Sequence, residues 1–393
     1  MKRMIGMIVV KPENSFRVRQ VRFDELDSET VKSWESLEDR ALETNAYLSP
    51  RFVIPAMRHL GRREELRETM FVFVEKANGG GVDLVGAGVF VKTSGKRSFP
   101  LPYLRAYRSR HSYLSGMLID REEAKRTVRA FFQFFCNKKA TWHGVEFEDR
   151  SADGPQAELI AAIAEEFGGA WQEQERIRRA VFVPSEGGNA YIQAHFSSGR
   201  IKDLRRMRRR LEEQGDVRWM ALFGTEVDEK SIERFLEIEH MGWKGENGTS
   251  LRSQPSHEAF FREMAAGFRE GKRLFFTEMS LDGIVIASTS NLISGGTGFA
   301  FKIGWNPSYA KMAPGLLNEV EFIQNAPTLC GGLSYIDSGA LEGSFIDNLW
   351  TGRRMLVSGI FGTTPLGKKV LWGIDRIRRI KRWGRSHWDQ CNK

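Results

Sequence analysis

Four places in the chain carry residue types that can do chemistry. A strand-like run ends at Trp305, and after a short loop Pro314 opens a helical stretch with Gly315 beside it. The first N–H groups of a helix have no partners, and its dipole favours an anion there. Gly315 lets a ligand approach the backbone closely. Ala313, Pro314, Gly315 and Leu316 are therefore candidate holders of a phosphate group, against the alternative of an ordinary Pro-Gly helix start. Trp243-Lys244-Gly245 presents an aromatic ring and a cation from a loop too polar for a core. It reads either as a wall or lid over a substrate or as a Trp that packs the loop down. Asp337 follows the apolar run 333–336 and precedes Gly339. A carboxylate at the carboxyl end of a strand in an open α/β sheet can act as general base toward an amine, or can simply cap a turn. Glu239, late in a helical stretch ahead of Trp243, is a second candidate base unless it is a solvated helix-face charge.

The elements that must position these residues alternate, strand with helix, along the whole chain, which is the pattern of α/β architecture. Ser49-Pro50 starts a helix with apolar Phe52, Val53, Ala56, Met57 and Leu60. Residues 70–74 and 82–91 read as a strand pair around Gly79-Gly80-Gly81, and 112–119 as a strand ahead of a helix from the Asp120 cap to about residue 136. A strand at 142–147, a helix at 158–167 and a strand at 180–183 follow. Pro184-Ser185-Glu186-Gly187-Gly188-Asn189 is the best linker candidate. Beyond it the order begins again: helix 202–214, strand 218–223, helix 229–240, a loop to 255, and a helix from 256. Strands at 274–279, 284–292 and 298–305, the helix from Pro314, a strand at 333–336, a helix near 344–353, a strand at 355–361 and a long C-terminal helix complete it. The two halves share an order of elements but no residue string. The expected division is 1–185, 186–365, and a basic amphipathic helix and tail at 366–393.

Composition sets the class. The 393 residues are 41% hydrophobic, enough for a core in each half, and no run approaches the roughly 20 apolar residues of a membrane helix. The apolar run 4–10 is closed by Lys11 with no small-residue cleavage site after it, so a cytoplasmic protein is expected, peripheral to the inner face of a membrane if the C-terminal helix lies there. Three cysteines (Cys136, Cys330 and Cys391) fit a reducing compartment better than a disulfide framework. With no Cys-x-x-Cys and no His-x-x-x-His, no metal is expected. The net charge of +9 admits a polyanionic partner, and its distribution points to two places. Residues 200–210 place seven Lys or Arg against one Asp, with Leu204, Met207 and Leu211 as an apolar stripe. In 366–383 the residues Leu366, Val370, Ile374, Ile377 and Ile380 form a stripe among Lys368, Lys369, Arg376, Arg378, Arg379, Lys381 and Arg382, with Trp372, Trp383 and, beyond it, Trp388 as anchors. That helix packs on a domain through its stripe, with or without an anionic membrane surface against residues 366–388.

Several segments resemble one family. Asn45-Ala46-Tyr47-Leu48-Ser49-Pro50 is similar to its N-P-F-x-S-P opening, and Gly242-Trp243-Lys244-Gly245 with Gly248-Thr249-Ser250 to its G-W-K-G…G-T-A loop. Gly304-Trp305-Asn306-Pro307 through Ala313-Pro314-Gly315-Leu316-Leu317 resembles its G-Y-D…S-P-G-x-L-L segment. In this order the motifs resemble the CelD-like branch of the GNAT acyltransferase superfamily. Two departures stand out. The superfamily's R/Q-x-x-G-x-G/A phosphate loop is absent from 309–315, and D-F-G-x-G appears as Asp337-Ser338-Gly339-Ala340. The resemblance implies two tandem GNAT-like domains, each a mixed and mostly antiparallel sheet flanked by helices, related to the Fem-type transferases. It implies an N-acetyltransferase moving an acyl group from acetyl-CoA or another acyl-CoA to an amine or hydroxyl of a small molecule or glycan precursor, in polysaccharide or cell-envelope synthesis. The pantetheine arm would then pair with strand 298–305 around Ile303. Two alternatives remain: a Fem-like transferase using aminoacyl-tRNA, and a GNAT-shaped scaffold at a membrane surface.

Overall fold

The computed structural model describes residues 15–391, without the side chains of Trp243 and 379–391. The apolar run 4–10 and the side chains of Arg379, Ile380, Lys381, Arg382, Trp383, Trp388 and Cys391 therefore lie outside what is described. The chain forms two compact units, and neither is continuous in sequence. Unit 1 takes the chain up to Glu43, Arg62–Ile177, and the chain from Met355 onward; unit 2 takes Thr44–Gly61 and Arg178–Arg354.

Unit 1 opens with β1 (Phe16–Val21) and α1 (Ser28–Arg40). The chain then contributes α2 (Pro50–Leu60) to unit 2 before α3 (Arg63–Glu68) resumes unit 1. A meander follows: β2 (Thr69–Asn78), β3 (Gly81–Thr93) and β4 (Tyr103–Ala106). The two-residue β5 (Leu118–Ile119), α4 (Ala124–Phe135), β6 (Gly144–Ser151), α5 (Pro155–Glu166) and β7 (Ala170–Phe182) come next. Segment 112–117, expected as strand, is a buried loop instead, so the apolar spacing of Leu114 and Met117 reflects loop burial. Within unit 1 the strand order is β1-β2-β3-β4-β6 and then β13 (Gly352–Gly362) ahead of β7. β1 with β2, β2 with β3, β3 with β4 and β6 with β13 pair antiparallel, and β4 with β6 parallel. Phe90, Phe131, Phe132, Phe135 and Phe147 fill the core of the unit.

Unit 2 runs through α6 (Asn189–His195), α7 (Ser198–Glu212), β8 (Val217–Phe223), α8 (Glu229–His240), the single turn α9 (Trp243–Glu246) and α10 (Pro255–Glu270). Then come the meander β9 (Leu274–Leu281), β10 (Ile284–Ser294) and β11 (Thr297–Trp305), the helix α11 (Pro314–Cys330) and β12 (Tyr335–Asp337). The sheet order is β8-β9-β10-β11-β12 and the end of β7, with β11 and β12 parallel. The core here is Phe182, Phe275, Ile286, Phe322, Ile323 and Trp350, among others. The expected linker 184–189 is a tight turn inside this unit. The Gly188 N–H donates to the Ile323 carbonyl at 2.8 Å, and a Cβ on Gly187 would stand 2.6 Å from that same oxygen, so these glycines serve close packing on α11. The helix expected near 344–353 is a short 3-10 turn, Phe345–Asn348. Last in the chain is α12 (Pro365–Cys391), whose start belongs to unit 1.

Both units repeat one theme. An antiparallel meander is followed by a helix, and the next full strand returns parallel to the last meander strand: β4, α4, β6 in unit 1 and β11, α11, β12 in unit 2. Helix α2 is built for its place in unit 2. The Ser49 hydroxyl accepts from the Arg51 N–H, Pro50 occupies the first turn, and Phe52 meets Phe260 of α10 edge to face at 5.3 Å.

Candidate active site

Strand β11 is the axis of the site. It pairs along its length with β10, but with β12 only at Thr297, Gly298 and Phe299. From Ala300 to Trp305 no strand pairs with that side among the described residues. The direction of the free groups follows from the ladder. The Asn306 N–H donates to the Ile286 carbonyl at 2.8 Å, which makes Gly304 with Ser288 a hydrogen-bonded row. Ile303, in the alternate row, turns its N–H and C=O away from β10 and into the open notch.

Lys244 answers that carbonyl: its ammonium donates to Ile303 O. It also lies 3.3 Å from Glu239 Oε1, while the other Glu239 oxygen accepts from the Leu251 N–H at 2.8 Å. Glu239 is buried on the core side of α8, so it is no solvated helix-face charge. It reaches the strand because residue 304 is glycine. A Cβ there would stand 2.6 Å from the Glu239 nitrogen and 2.7 Å from its Cα, so the end of α8 rests directly on β11. Burial lowers the Lys244 ammonium below its ordinary range; Lys302 pushes the same way and Glu239 opposes both. The loop that carries Lys244 folds back on itself. Gly242 and Gly248 take left-handed conformations, and the Thr249 N–H donates to the Lys244 carbonyl at 2.8 Å. The Trp243 side chain lies outside the described residues.

The helix start closes the far end of the notch. Ala313 adopts φ 48° and ψ 55°, a left-handed conformation uncommon for a residue with a side chain. It carries no side-chain cap, so the amides of Gly315 and Leu316 have no intrahelical partner. A Cβ on Gly315 would lie 3.2 Å from the Trp305 ring and 3.6 Å from Ile303 Cδ1, which places this turn against the end of β11. The fold thus brings together Glu239, Lys244, Ile303, Ala313, Pro314, Gly315 and Leu316.

Asp337 is not among them. It pairs in register with Phe299, five residues before Gly304, on the order of 17 Å away along the strand. Fully buried there, it accepts from the Gly339 N–H at 2.8 Å and from Arg354 Nη1 at 3.0 Å, with Arg179 3.7 Å away.

Sequence reasoning missed Asn318 and Glu319, one turn into α11. Both are buried against β9 and β10. Asn318 accepts from Trp219 Nε1 at 2.9 Å and donates to the hydroxyls of Thr277 and Thr289 at 3.0 and 3.2 Å; Thr289 in turn donates to Glu319 at 2.7 Å. Burial pushes the Glu319 carboxyl up to about 7, against the Thr289 hydrogen bond. No local signal singled them out, because the same helix also carries Glu321, Gln324 and Asn325.

In unit 1 the Tyr107 N–H, just past β4, still donates to the Val89 carbonyl of β3 at 2.8 Å, and the Arg108 guanidinium reaches Asp149 at 2.9 Å, Glu148 at 3.3 Å and the Ser112 carbonyl at 3.0 Å. Among the described residues, no group of three or more His, Cys, Asp or Glu is gathered as a metal ion would require.

Solved structures match nearly the whole chain, and a family model matches part of unit 2. No curated protein matches the chain in sequence. FemX superposes with a TM-score of 0.55 at 9% identity, covering 88% of this chain and 97% of that one. The C-terminal domain of a protein from Agrobacterium fabrum assigned as a lysylphosphatidylglycerol synthetase gives 0.51 at 9% identity, covering 88% and 94%. A tandem GNAT protein from the clavulanic acid biosynthesis pathway gives 0.43 at 14% identity, covering 89% and 99%. At these identities the likeness is one of fold. Residues 198–344, which lie wholly within unit 2 and hold every member of the cluster above, match the family described as "Acetyltransferase (GNAT) domain".

Proposed function

We propose that unit 2 transfers an acyl group from acetyl-CoA or another acyl-CoA to an amine or hydroxyl acceptor. The observation that carries this reading is the open edge of β11 from Ala300 to Trp305, bounded at one end by the uncapped helix start at Ala313. Such an edge suits an amide-bearing arm, which can pair with it as an added strand. Acyl-CoA, when bound, supplies an activated thioester carbonyl. The Gly315 and Leu316 amides hold the pyrophosphate, and Ile303 orients the arm through its N–H, which faces the notch beside the carbonyl that Lys244 engages. A backbone N–H along this edge stabilises the developing oxyanion. Glu239 takes the proton from the acceptor, directly or through a water, and Lys244 holds the Glu239 carboxylate in place. Asp337, braced by Arg354 and Arg179, keeps the far end of β11 joined to β12. A small molecule or glycan precursor is the acceptor in this reading, which the CelD-like motifs favour.

Isothermal titration with CoA and acetyl-CoA tests it. Binding that is lost in Gly315→Val is expected; no heat at millimolar ligand would remove acyl-CoA from the mechanism.

One observation favours a second donor, aminoacyl-tRNA. On α7, Lys202, Arg205, Arg206 and Arg209 share one face and line a cleft of about 490 Å³ with Gln193, Ser198 and Ile201. A tRNA held there must bind with an affinity that falls steeply as salt rises. Affinity indifferent to salt discards this donor.

A further inference from the structure

The first four turns of α12 carry three large apolar residues, Leu366, Trp372 and Ile377, on the side away from unit 1. The helix is seated on unit 1 through Gly367, Lys368 and Leu371. A Cβ on Gly367 would meet the His143 carbonyl oxygen at 2.0 Å, Lys368 Nζ donates to the Phe167 carbonyl at 2.6 Å, and Leu371 is buried with Phe99, Tyr103 and Ile360. These contacts fix the roll of the helix about its axis. The sequence stripe of Leu366, Val370, Ile374 and Ile377 therefore does not pack as one surface. Val370 and Ile374 turn partly inward, whereas Leu366 is 49% and Ile377 56% exposed.

Between them on the outer side lies Trp372, 65% exposed, with Lys369 and Arg376 also exposed. At 100° per residue, Leu366, Lys369, Trp372, Arg376 and Ile377 fall within an arc of about 140°. The Arg376 guanidinium sits 5.3 Å from the centre of the Trp372 ring. Asp375, the one acidic residue in 365–378, falls outside that arc. A large aromatic and two aliphatic side chains held in water, interleaved with cations and free of acids, match the chemistry of an anionic lipid interface. There the ring and aliphatic groups enter the headgroup boundary while the cations meet phosphates. A nucleic acid would use the cations but leave Leu366 and Ile377 in water. The surplus of positive charge over the chain, +9, works in the same direction.

We propose that this outward face of α12, residues 365–378, docks the protein on an anionic lipid surface, lying flat in the interface without crossing it. Among the described residues no helix is long and apolar enough to span a membrane. The inference is independent of the acyl-transfer reading, since it rests on unit 1 alone.

Co-sedimentation of the full chain with vesicles tests it, comparing phosphatidylcholine alone with phosphatidylcholine containing 30% phosphatidylglycerol. Binding to the anionic vesicles only, weakening as salt rises, is expected. Each cation near such a surface contributes about fivefold to affinity, so Lys369→Glu with Arg376→Glu is expected to reduce binding by at least about 25-fold. Trp372→Ala is expected to reduce it about tenfold with the charges intact. Circular dichroism checks that each variant folds; these residues face outward, so unfolding is not expected. Failure of the folded wild type to sediment with anionic vesicles overturns the proposal, as does binding that neither variant alters. Concentration-dependent self-association that Trp372→Ala abolishes, without vesicle binding, overturns it in favour of a second copy of the chain on this face.

Discussion

Replacing Glu319 with glutamine isolates the effect of one buried proton. The carboxyl is held at about 7 in the native protein against an ordinary value of 4.5. In the unfolded chain it loses its proton near 4.5; in the native state it keeps it until about 7. Between those limits the native state binds more protons, so stability falls as pH rises through the window and levels off above it. The gap of 2.5 at 1.36 kcal/mol per unit gives about 3 kcal/mol. Glutamine has nearly the same shape and does not titrate. Its own hydrogen-bond mismatch is the same at every pH, so the difference between wild type and variant cancels it. Urea unfolding at pH 5 and pH 8, followed by circular dichroism, reads that difference in the transition of unit 2. About 2.5 kcal/mol of this falls between pH 5 and pH 8, so with a slope of about 2 kcal/mol/M for a unit of this size the midpoint of Glu319→Gln is expected to move relative to wild type by about 1.2 M between the two pH values, favouring the variant at pH 8. A constant offset at both pH values would refute the reasoning, because it would mean that Glu319 ionises as readily in the native state as in the unfolded one.

Glu239→Gln is expected to lower kcat about 100-fold with little change in KM, since it removes a proton acceptor and leaves shape intact; steady-state kinetics with separate KM and kcat checks this. Gly304→Ala drives a Cβ into the backbone of α8 at Glu239 and is expected to cost about 2 kcal/mol, with activity falling in the folded fraction too; thermal melts and specific activity decide it. Asp337→Asn strips the charge that Arg354 and Arg179 face in a fully buried place, and should cost about 3 kcal/mol or more while leaving turnover per folded molecule unchanged. A loss of turnover well below the melting point would return Asp337 to the chemistry.

The parts of this fold that could be read from sequence are those with local signals. The boundaries of α8, 229–240, and the starts of α2 and α11 are written in capping residues and prolines. The turn at 345–348 misread as helix is closed instead by Arg353, whose guanidinium reaches the carbonyls of Asp347 and Gly352; nothing local announces that. Choosing between Glu239 and Asp337 required the register of β12 against β11, a pairing between segments far apart in sequence. The helical spacing on α12 was legible, but which residues face in depends on where Gly367 meets His143.

The exchange of segments between the units constrains how the chain can be made. Unit 2 needs α2, which is synthesised early, and unit 1 needs β13, which emerges near the end and lies between β6 and β7. A nascent chain therefore cannot finish its first unit until about residue 362 has left the ribosome, on the order of tens of seconds after α2. During that time β6 and β7 present unpaired edges to the surroundings. A fragment cut near residue 185 keeps those edges for good, having lost the strand between them, and a C-terminal fragment from the same cut lacks the helix that covers α10. The two units repeat one another in form, yet neither can be expressed alone by a single cut of the gene.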